Sequence, residues 1–282
     1  MLKPSQIDSV IKAALQEDIG PKDITSAAVI PAAMHFKADI TVNEEGVLCG
    51  IGVTERVFRL VDEHIRFLPV AKDGESLEKG REVAYIEGGG GILSAERTAL
   101  NLLSHLSGIA TKTRQFVEKV KGTSAKILDT RKTTPGLRLL EKYAVATGGG
   151  VNHRLGLYDQ VLIKDNHLRV LRDMPMAGIV EQARKKTLKK TVIGIEVKNL
   201  KEFVEAIKTP ANYILLDNMD AGMVAEAVRL RKASGAKMDL EVSGGVNIEN
   251  VLDYAKTGVE RISVGCLTHD APALDISLDI VG

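Results

Sequence analysis

The sequence predicts an α/β protein in which a barrel of parallel strands, six of them visible where a full barrel has eight, follows an α+β unit. Three observations carry this. Six short β-rich runs recur in the second half, at 125–130, 160–165, 193–198, 213–218, 240–245 and 261–266, with starts 35, 33, 20, 27 and 21 residues apart. Helical patterns such as Leu200 to Ile207, Ala221 to Ala233 and Ile248 to Thr257 lie between them, and parallel strands need such crossovers. Each run closes on polar or glycine residues. A doubly wound sheet gathers its functional groups near one switch point, whereas a barrel brings every strand end to one mouth. Polar groups on all six runs therefore favour the barrel.

The first hundred residues read differently. Pro4 to Glu17 is an amphipathic helix with Ile7, Val10, Ile11, Ala14 and Leu15 on one side and Pro near its start. Phe36 to Val42 alternates and leads through Asn43-Glu44-Glu45-Gly46 into Val47-Leu48-Cys49, the pattern of a hairpin. Thr54 to Val61 reads as a helix, Ile65 to Val70 as a strand, and Val83 to Ile86 closes the unit. Gly88 to Gly91 lacks the spacing of a nucleotide-cradling loop and reads as a flexible connector. Ser94 then caps a helix over 95–106, and a second helix runs over 109–121 to Gly122.

Composition excludes several function classes. Of 282 residues, 44% are apolar and 27% charged, the balance of a soluble globular chain. Lys plus Arg is 38 and Asp plus Glu 37, so a nucleic-acid binder with a general basic excess is not expected. Aromatics make up 4% with no Trp, which argues against base-stacking platforms. No stretch is long and apolar enough to span a bilayer, and no signal-peptide pattern is seen. Two distant cysteines, Cys49 and Cys266, without metal-ligand spacing, fit a reducing, cytoplasmic setting.

The strand ends carry the chemistry. The six runs deliver Thr130-Arg131-Lys132, then Lys164-Asp165-Asn166-His167, Glu196 with Lys198, Asp217-Asn218, Ser243-Gly244-Gly245, and Gly265. The loop from Gly148 to Arg154 adds His153 and Arg154. Between Lys126 and Arg172 nine Lys or Arg face four Asp or Glu, a local excess that points to a ligand with several negative charges. Glycines on the last two runs admit phosphate oxygens to backbone N–H groups, where barrels commonly hold a phosphate. Glu196 and Asp217 suit Mg²⁺ gripped jointly with substrate phosphates, or serve as partners of Lys164 or Lys198; spacing favours neither. Lys164 is either a Schiff-base lysine or a fixed cation. His35, His64 and His105 have no partner at ligand spacing.

The run from Ile127 to Arg138 (ILDTRKTTPGLR) resembles the signature of the quinolinate phosphoribosyltransferase family. The resemblance extends through Asp18-Ile19-Gly20, Asp23-Ile24-Thr25, Ser94 to Asn101, Ser107 to Thr111, Glu141 to Val145, Gly148 to Gly150, Asn152-His153-Arg154, Leu162 to His167 and Ser243 to Gly245, which is nearly the whole chain. It implies an open six-stranded α/β (TIM-like) barrel over 109–269 and an N-terminal α/β sandwich over 1–108, joined by the tail 270–282. It also implies a reaction: quinolinate and phosphoribosyl pyrophosphate give nicotinate mononucleotide, pyrophosphate and CO₂, with Mg²⁺, in NAD biosynthesis. By similarity, Thr130, Arg131, Lys132, His153, Arg154 and Lys164 hold the quinolinate dicarboxylate and neighbouring phosphate. Glu196 and Asp217 face the ribose and Mg²⁺, while Ser243, Gly244, Gly245, Val264, Gly265 and Cys266 hold the 5′-phosphate. Lys132, Lys164, Glu196 and Asp217 are the catalytic set, and Arg97 completes the site of a partner subunit in a homodimer or a hexamer (trimer of dimers). Two departures stand out: Leu102 to His105 replaces a stretch more usually containing Phe and Gln, and Cys266 and Asp270 stand where Ala and Ser are commoner, with Asp270 adding negative charge near the phosphate rim.

The residues also admit a class I aldolase built on Lys164, which would not need Arg131, His153 and Arg154 together. A close paralogue acting on another pyridine or metabolite is a further alternative. A binding module without activity leaves acids and bases on six strand ends unexplained.

Overall fold

The computed structural model describes residues 2–281. The chain forms two compact units, one comprising Met1–Arg114, Thr134–Gly149 and Asp270–Gly282, the other Gln115–Thr133 and Gly150–His269.

The first unit begins with α1 (Pro4–Ile19) and α2 (Ile24–Val29). Then follow β1 (Phe36–Val42), β2 (Gly46–Val47), α3 (Ile51–Val61), β3 (Arg66–Pro69), β4 (Ser76–Leu77), β5 (Glu82–Gly88) and the long α4 (Gly91–Lys119). Helix α1 buries Ile7, Ile11 and Leu15, one stripe at four-residue spacing. Its Asp8 receives Arg56 Nε and Nη2 of α3 at 2.8 and 2.7 Å. The main sheet has the order β12-β1-β5-β3, where β12 (Ile276–Val281) pairs antiparallel with β1 from Lys37↔Val281 to Val42↔Ile276.

Three local expectations are corrected. There is no hairpin after Phe36–Val42, because β1 is flanked by β5 and β12 while β2 pairs with β4. The alternation of β1 reports burial of one face and carries no information on its neighbours. The two helices expected over 95–121 are one, because Gly108 stays helical where the backbone of Pro272 approaches; a Cβ there would lie 1.9 Å from the Pro272 carbonyl oxygen. Ser94, expected as a cap, sits inside that helix and donates its hydroxyl to Asp23 Oδ2 at 2.8 Å. Gly88 to Gly91 is not a loose connector. Gly88 ends β5, Gly91 opens α4, and added Cβ atoms would stand 3.0 Å from Ile65 and 3.1 Å from Asp62.

The second unit opens with β6 (Lys126–Leu128). Helix α5 (Arg138–Thr147) belongs to the first unit, not to the second range in which its sequence position put it. Its Tyr143 hydroxyl donates to Asp73 at 2.6 Å, and its buried Glu141 pairs with His105 Nε2 at 3.0 Å. Periodicity marks the apolar face of a helix but not the layer it packs on. Next come β7 (Val161–Ile163), α6 (Asp165–Val170), α7 (Met176–Lys186), β8 (Ile193–Val197), α8 (Leu200–Ala206), β9 (Tyr213–Asp217), α9 (Ala221–Ser234), β10 (Asp239–Ser243), α10 (Val251–Lys256), β11 (Arg261–Ser263) and α11 (Cys266–His269). All six expected runs are strands, and they form one parallel sheet in the order β6-β11-β10-β9-β8-β7. The first strand in sequence lies beside the last, and β6 and β7 are its two edges. The β6 edge is met by the segment before β7: Val151 N donates to Ile127 O at 2.8 Å and Asp129 N to Val151 O at 3.3 Å.

Candidate active site

Successive strand side chains point to opposite faces, and register partners in a parallel pair share a face. Leu162, Gly194 and Tyr213 are aligned across β7, β8 and β9, as are Glu196, Leu215 and Glu241 across β8, β9 and β10, and Asp217 with Ser243. Leu162, Tyr213 and Leu215 form a buried cluster on that face. Stepping by two, the same face receives Lys164, Glu196, Asp217, Ser243 and Gly265, while Thr130 follows Leu128 from β6. Of the expected residues of the second unit, Lys164, Glu196, Asp217, Ser243 and Gly265 therefore share one side of one sheet near its carboxyl edge, while Arg131, Gly244, Val264 and Cys266 fall on the alternate parity. Arg97 lies on α4 in the first unit, exposed, with its guanidinium 3.8 Å from Glu96.

Lys164 Nζ donates to Glu196 Oε2 at 2.9 Å. Glu196 is buried, and Lys198 turns instead to Asp165 at 2.6 Å. The partner left open on sequence is thus Lys164 for Glu196. Asp217 ends β9 and accepts the Asn218 side-chain amide at 3.0 Å. Asn218 has φ +55, the one positive value on a non-glycine among the described residues, and Asn is a residue that tolerates this conformation. There its main-chain N–H reaches Ser243 O at 2.8 Å, beside Gly244. Gly244 (φ +94) and Gly245 (φ +63) follow in succession, a left-handed pair that only glycine adopts without strain.

Around the last strand end, Thr268 Oγ1 donates to Lys132 O at 2.7 Å, and Lys132 N donates to Thr130 Oγ1 at 3.0 Å. A Cβ on Gly265 would lie 3.1 Å from Lys132 Cδ, so that glycine makes room for the lysine stem. Val264 is buried and Cys266 half-buried at the start of α11. Asp270 pairs with Lys112 within the first unit, Nζ to Oδ2 at 3.1 Å and Nζ to the Asp270 carbonyl at 2.5 Å, so its charge is compensated.

His153 and Arg154 are both buried, held beside β6 by the bond from His153 N to Asp129 Oδ1 at 2.8 Å. Arg154 Nη1 donates to Gln160 O at 3.2 Å. Burial, and next the like charge of Arg131, push the Arg154 guanidinium down from its ordinary value. Two guanidinium groups that repel each other in a partly desolvated place make a receptor for a dianion, since each carboxylate offsets that repulsion.

Sequence reasoning missed the polar layer beneath. Glu241 is fully buried and contacts Arg261 Nε at 2.8 Å, Ser263 Oγ at 2.6 Å and His153 Nε2 at 3.2 Å. Arg261 lies over the Tyr213 ring, 4.8 Å from its centroid. The signal was present: Glu241 stands two residues before Ser243, and Arg261 and Ser263 stand four and two before Gly265, all on the inward parity. Attention to the ends of the runs passed over it.

Among the described residues, no three His, Cys, Asp or Glu side chains cluster as a ready ligand set for a metal. Glu196 and Asp217 stand near the carboxyl ends of adjacent strands, Glu196 paired with Lys164. Such a pair fits an ion like Mg²⁺, which takes few protein oxygens and completes its shell with water and substrate phosphate. No described helix is long and apolar enough to cross a membrane.

Comparison with known proteins gives a consistent result. The family model described as quinolinate phosphoribosyl transferase, N-terminal domain, matches residues 23–107, and that of the C-terminal domain matches 109–279. The nicotinate-nucleotide pyrophosphorylase [carboxylating] of Mycobacterium leprae is 40% identical over 99% of this chain and 100% of its own length. A protein of Bacillus subtilis named as a probable nicotinate-nucleotide pyrophosphorylase [carboxylating] is 39% identical, covering 98% of this chain and 93% of its own. The solved structure of the nicotinate-nucleotide pyrophosphorylase from Francisella tularensis superposes with a TM-score of 0.92 at 35% identity, covering 100% of this chain and 98% of that one.

Proposed function

The chain belongs to the quinolinate phosphoribosyl transferase family, and from that premise we propose how its residues divide the labour of the reaction. The enzyme transfers phosphoribose from phosphoribosyl pyrophosphate to quinolinate with loss of CO₂, giving nicotinate mononucleotide and pyrophosphate for NAD synthesis. The observation that supports the site is the meeting of Lys164, Glu196, Asp217 and Ser243 on one face of one parallel sheet, with two guanidinium groups beside it. The sheet, whose first strand joins its last, is read as an open barrel with this face inside, and the antiparallel sheet as half of an N-terminal sandwich.

Arg131 and Arg154 grip the two carboxylates of quinolinate, with Lys132 and Thr130 at their side, and aim the ring nitrogen at C1′. Fixed aim of this kind converts binding energy into rate. The C1′–oxygen bond to pyrophosphate breaks as the C1′–nitrogen bond forms. Positive charge develops at C1′, and Glu196 and Asp217 stabilise it electrostatically. Lys132 and Lys164 offset negative charge on the phosphates. Ser243 and the N–H groups of Gly244, Gly245 and the turn Val264-Gly265-Cys266 hold the 5′-phosphate. Glu196 and Asp217 would hold Mg²⁺, which supplies charge neutralisation for the leaving pyrophosphate. The positive charge of the ribosylated ring stabilises the electron pair left on C2 when the 2-carboxylate departs as CO₂; a proton from water then bonds to C2, and the ring remains a pyridinium in the product. Arg97 reaches the site of a second copy, which makes the working form a homodimer or a trimer of such dimers.

The test is CO₂ release from carboxyl-labelled quinolinate, with and without phosphoribosyl pyrophosphate and Mg²⁺. Release that needs both supports the whole reading. Release without the sugar phosphate overturns the order of steps, and no release from a folded protein that binds phosphoribosyl pyrophosphate moves the acceptor to another molecule.

A further inference from the structure

Glu241 is completely buried on the inward face of β10, and the reaction above uses none of its atoms. A buried carboxylate is costly unless paired and hydrogen-bonded. Here Arg261 Nε at 2.8 Å, the Ser263 hydroxyl at 2.6 Å and His153 Nε2 at 3.2 Å meet the two oxygens of Glu241. It is an anion with every partner on the same face.

The imidazole of His153 is committed at both ends. Its Nδ1 accepts the main-chain N–H of Arg154 at 2.7 Å, so the proton of the neutral ring sits on Nε2. That Nε2–H faces Glu241 Oε1 at 3.2 Å and the Tyr213 hydroxyl oxygen at 3.4 Å. An imidazolium would carry a proton on Nδ1 as well and would lose the bond to Arg154 N. The charged and titratable groups around the ring are Asp129 after β6, Arg131 and Arg154 on the flanking loops, Tyr213 on β9, Glu241 on β10 and Arg261 on β11.

We propose that Glu241 is a positioning residue: through the neutral Nε2–H tautomer of His153 it fixes the main chain at Arg154, and so aims that guanidinium at the substrate's carboxylates. His153 is then a strut and not a cation for the substrate, which departs from the role its position in the family pattern implies. The proposal rests on the reading of Arg154 as a carboxylate contact.

The first arm needs no substrate. Long-range proton–nitrogen NMR of the full chain labelled with ¹⁵N-histidine, with His153→Asn assigning the signal, is expected to give the neutral Nε2–H pattern for His153. An imidazolium or an Nδ1–H pattern overturns the proposal. In the second arm, Glu241→Gln raises KM for quinolinate by up to about 100-fold while KM for phosphoribosyl pyrophosphate stays in place, the signature of a misaimed group. Equal loss for both substrates in a folded variant marks Glu241 as structural only and overturns it. If Glu241→Gln does not fold, the NMR pattern of the native chain decides. If the native chain released no CO₂ from quinolinate, the functional reading would fail while the NMR arm still tested the link from Glu241 to His153.

Discussion

Lys164 Nζ lies 2.9 Å from Glu196 Oε2, and the carboxylate of that pair is buried while the lysine side chain is about half exposed. That contact commits the Lys164 amino group to a buried carboxylate. Sodium borohydride with carbonyl substrates is therefore expected to trap nothing on Lys164, by mass spectrometry of the digested protein. A trapped adduct would restore the aldolase reading. Lys164→Met should lower kcat by about 100-fold or more, as loss of a charge aimed at the reacting centre does.

The Arg131–Arg154 pair sets a second expectation. Arg131→Ala is expected to cost about 2–4 kcal/mol of transition-state stabilisation, roughly 30- to 900-fold in kcat/KM. Because Arg131 pushes the Arg154 guanidinium down, the same change relieves Arg154 in the free protein. The folded protein should keep or gain thermal stability while losing activity. A variant with near-normal turnover would count against this site.

Gly244 provides a test that separates phosphate binding from the rest. An added Cβ would stand 2.3 Å from Asn218 Oδ1, and the residue has φ +94. Gly244→Ala should cost about 1–3 kcal/mol through backbone strain and the clash. It should raise KM for phosphoribosyl pyrophosphate more than KM for quinolinate. Thermal melts with steady-state kinetics check both halves.

Acid sensitivity follows from Asp23. Its carboxyl accepts hydrogen bonds from the Ser26 side chain and main chain, the Ser94 hydroxyl and Thr25 N, which hold it down to about 2 from the usual 3.8. A carboxyl depressed in the folded state stabilises the protein fully above its unfolded pKa. That contribution is lost as pH falls through the folded value. Part of the stability should therefore disappear between about pH 4 and pH 2. Asp23→Asn should flatten that limb in acid-unfolding curves followed by circular dichroism. An unchanged curve would remove Asp23 as a contributor.

How much of this was legible beforehand depends on which physical signal each feature leaves in the chain. The six parallel strands were legible because short apolar runs alternating with helical periods need crossovers, and the runs at 193–198 and 213–218 became strands β8 and β9 with the polar residue at the end. Thr130, Lys164, Glu196, Asp217 and Ser243 were legible because polar groups at the ends of buried strands stand out against their neighbours. The hairpin after β1 was misread because pairing with β12, more than two hundred residues away, leaves no local trace. The split of the long helix at Gly108 was misread because a glycine required by the close approach of Pro272 looks the same as one that ends a helix.

By itself the sequence determined that parallel strands would carry acids, bases and glycines to their carboxyl ends, since hydrophobic period and strand alternation are properties of the local chain. Only the tertiary structure decided which charges meet. Lys164 rather than Lys198 takes Glu196, Asp270 takes Lys112, and Glu241 takes Arg261, Ser263 and His153. The reason is physical: such pairs are set by strand register and by packing between distant segments, and neither is written in the spacing along the chain.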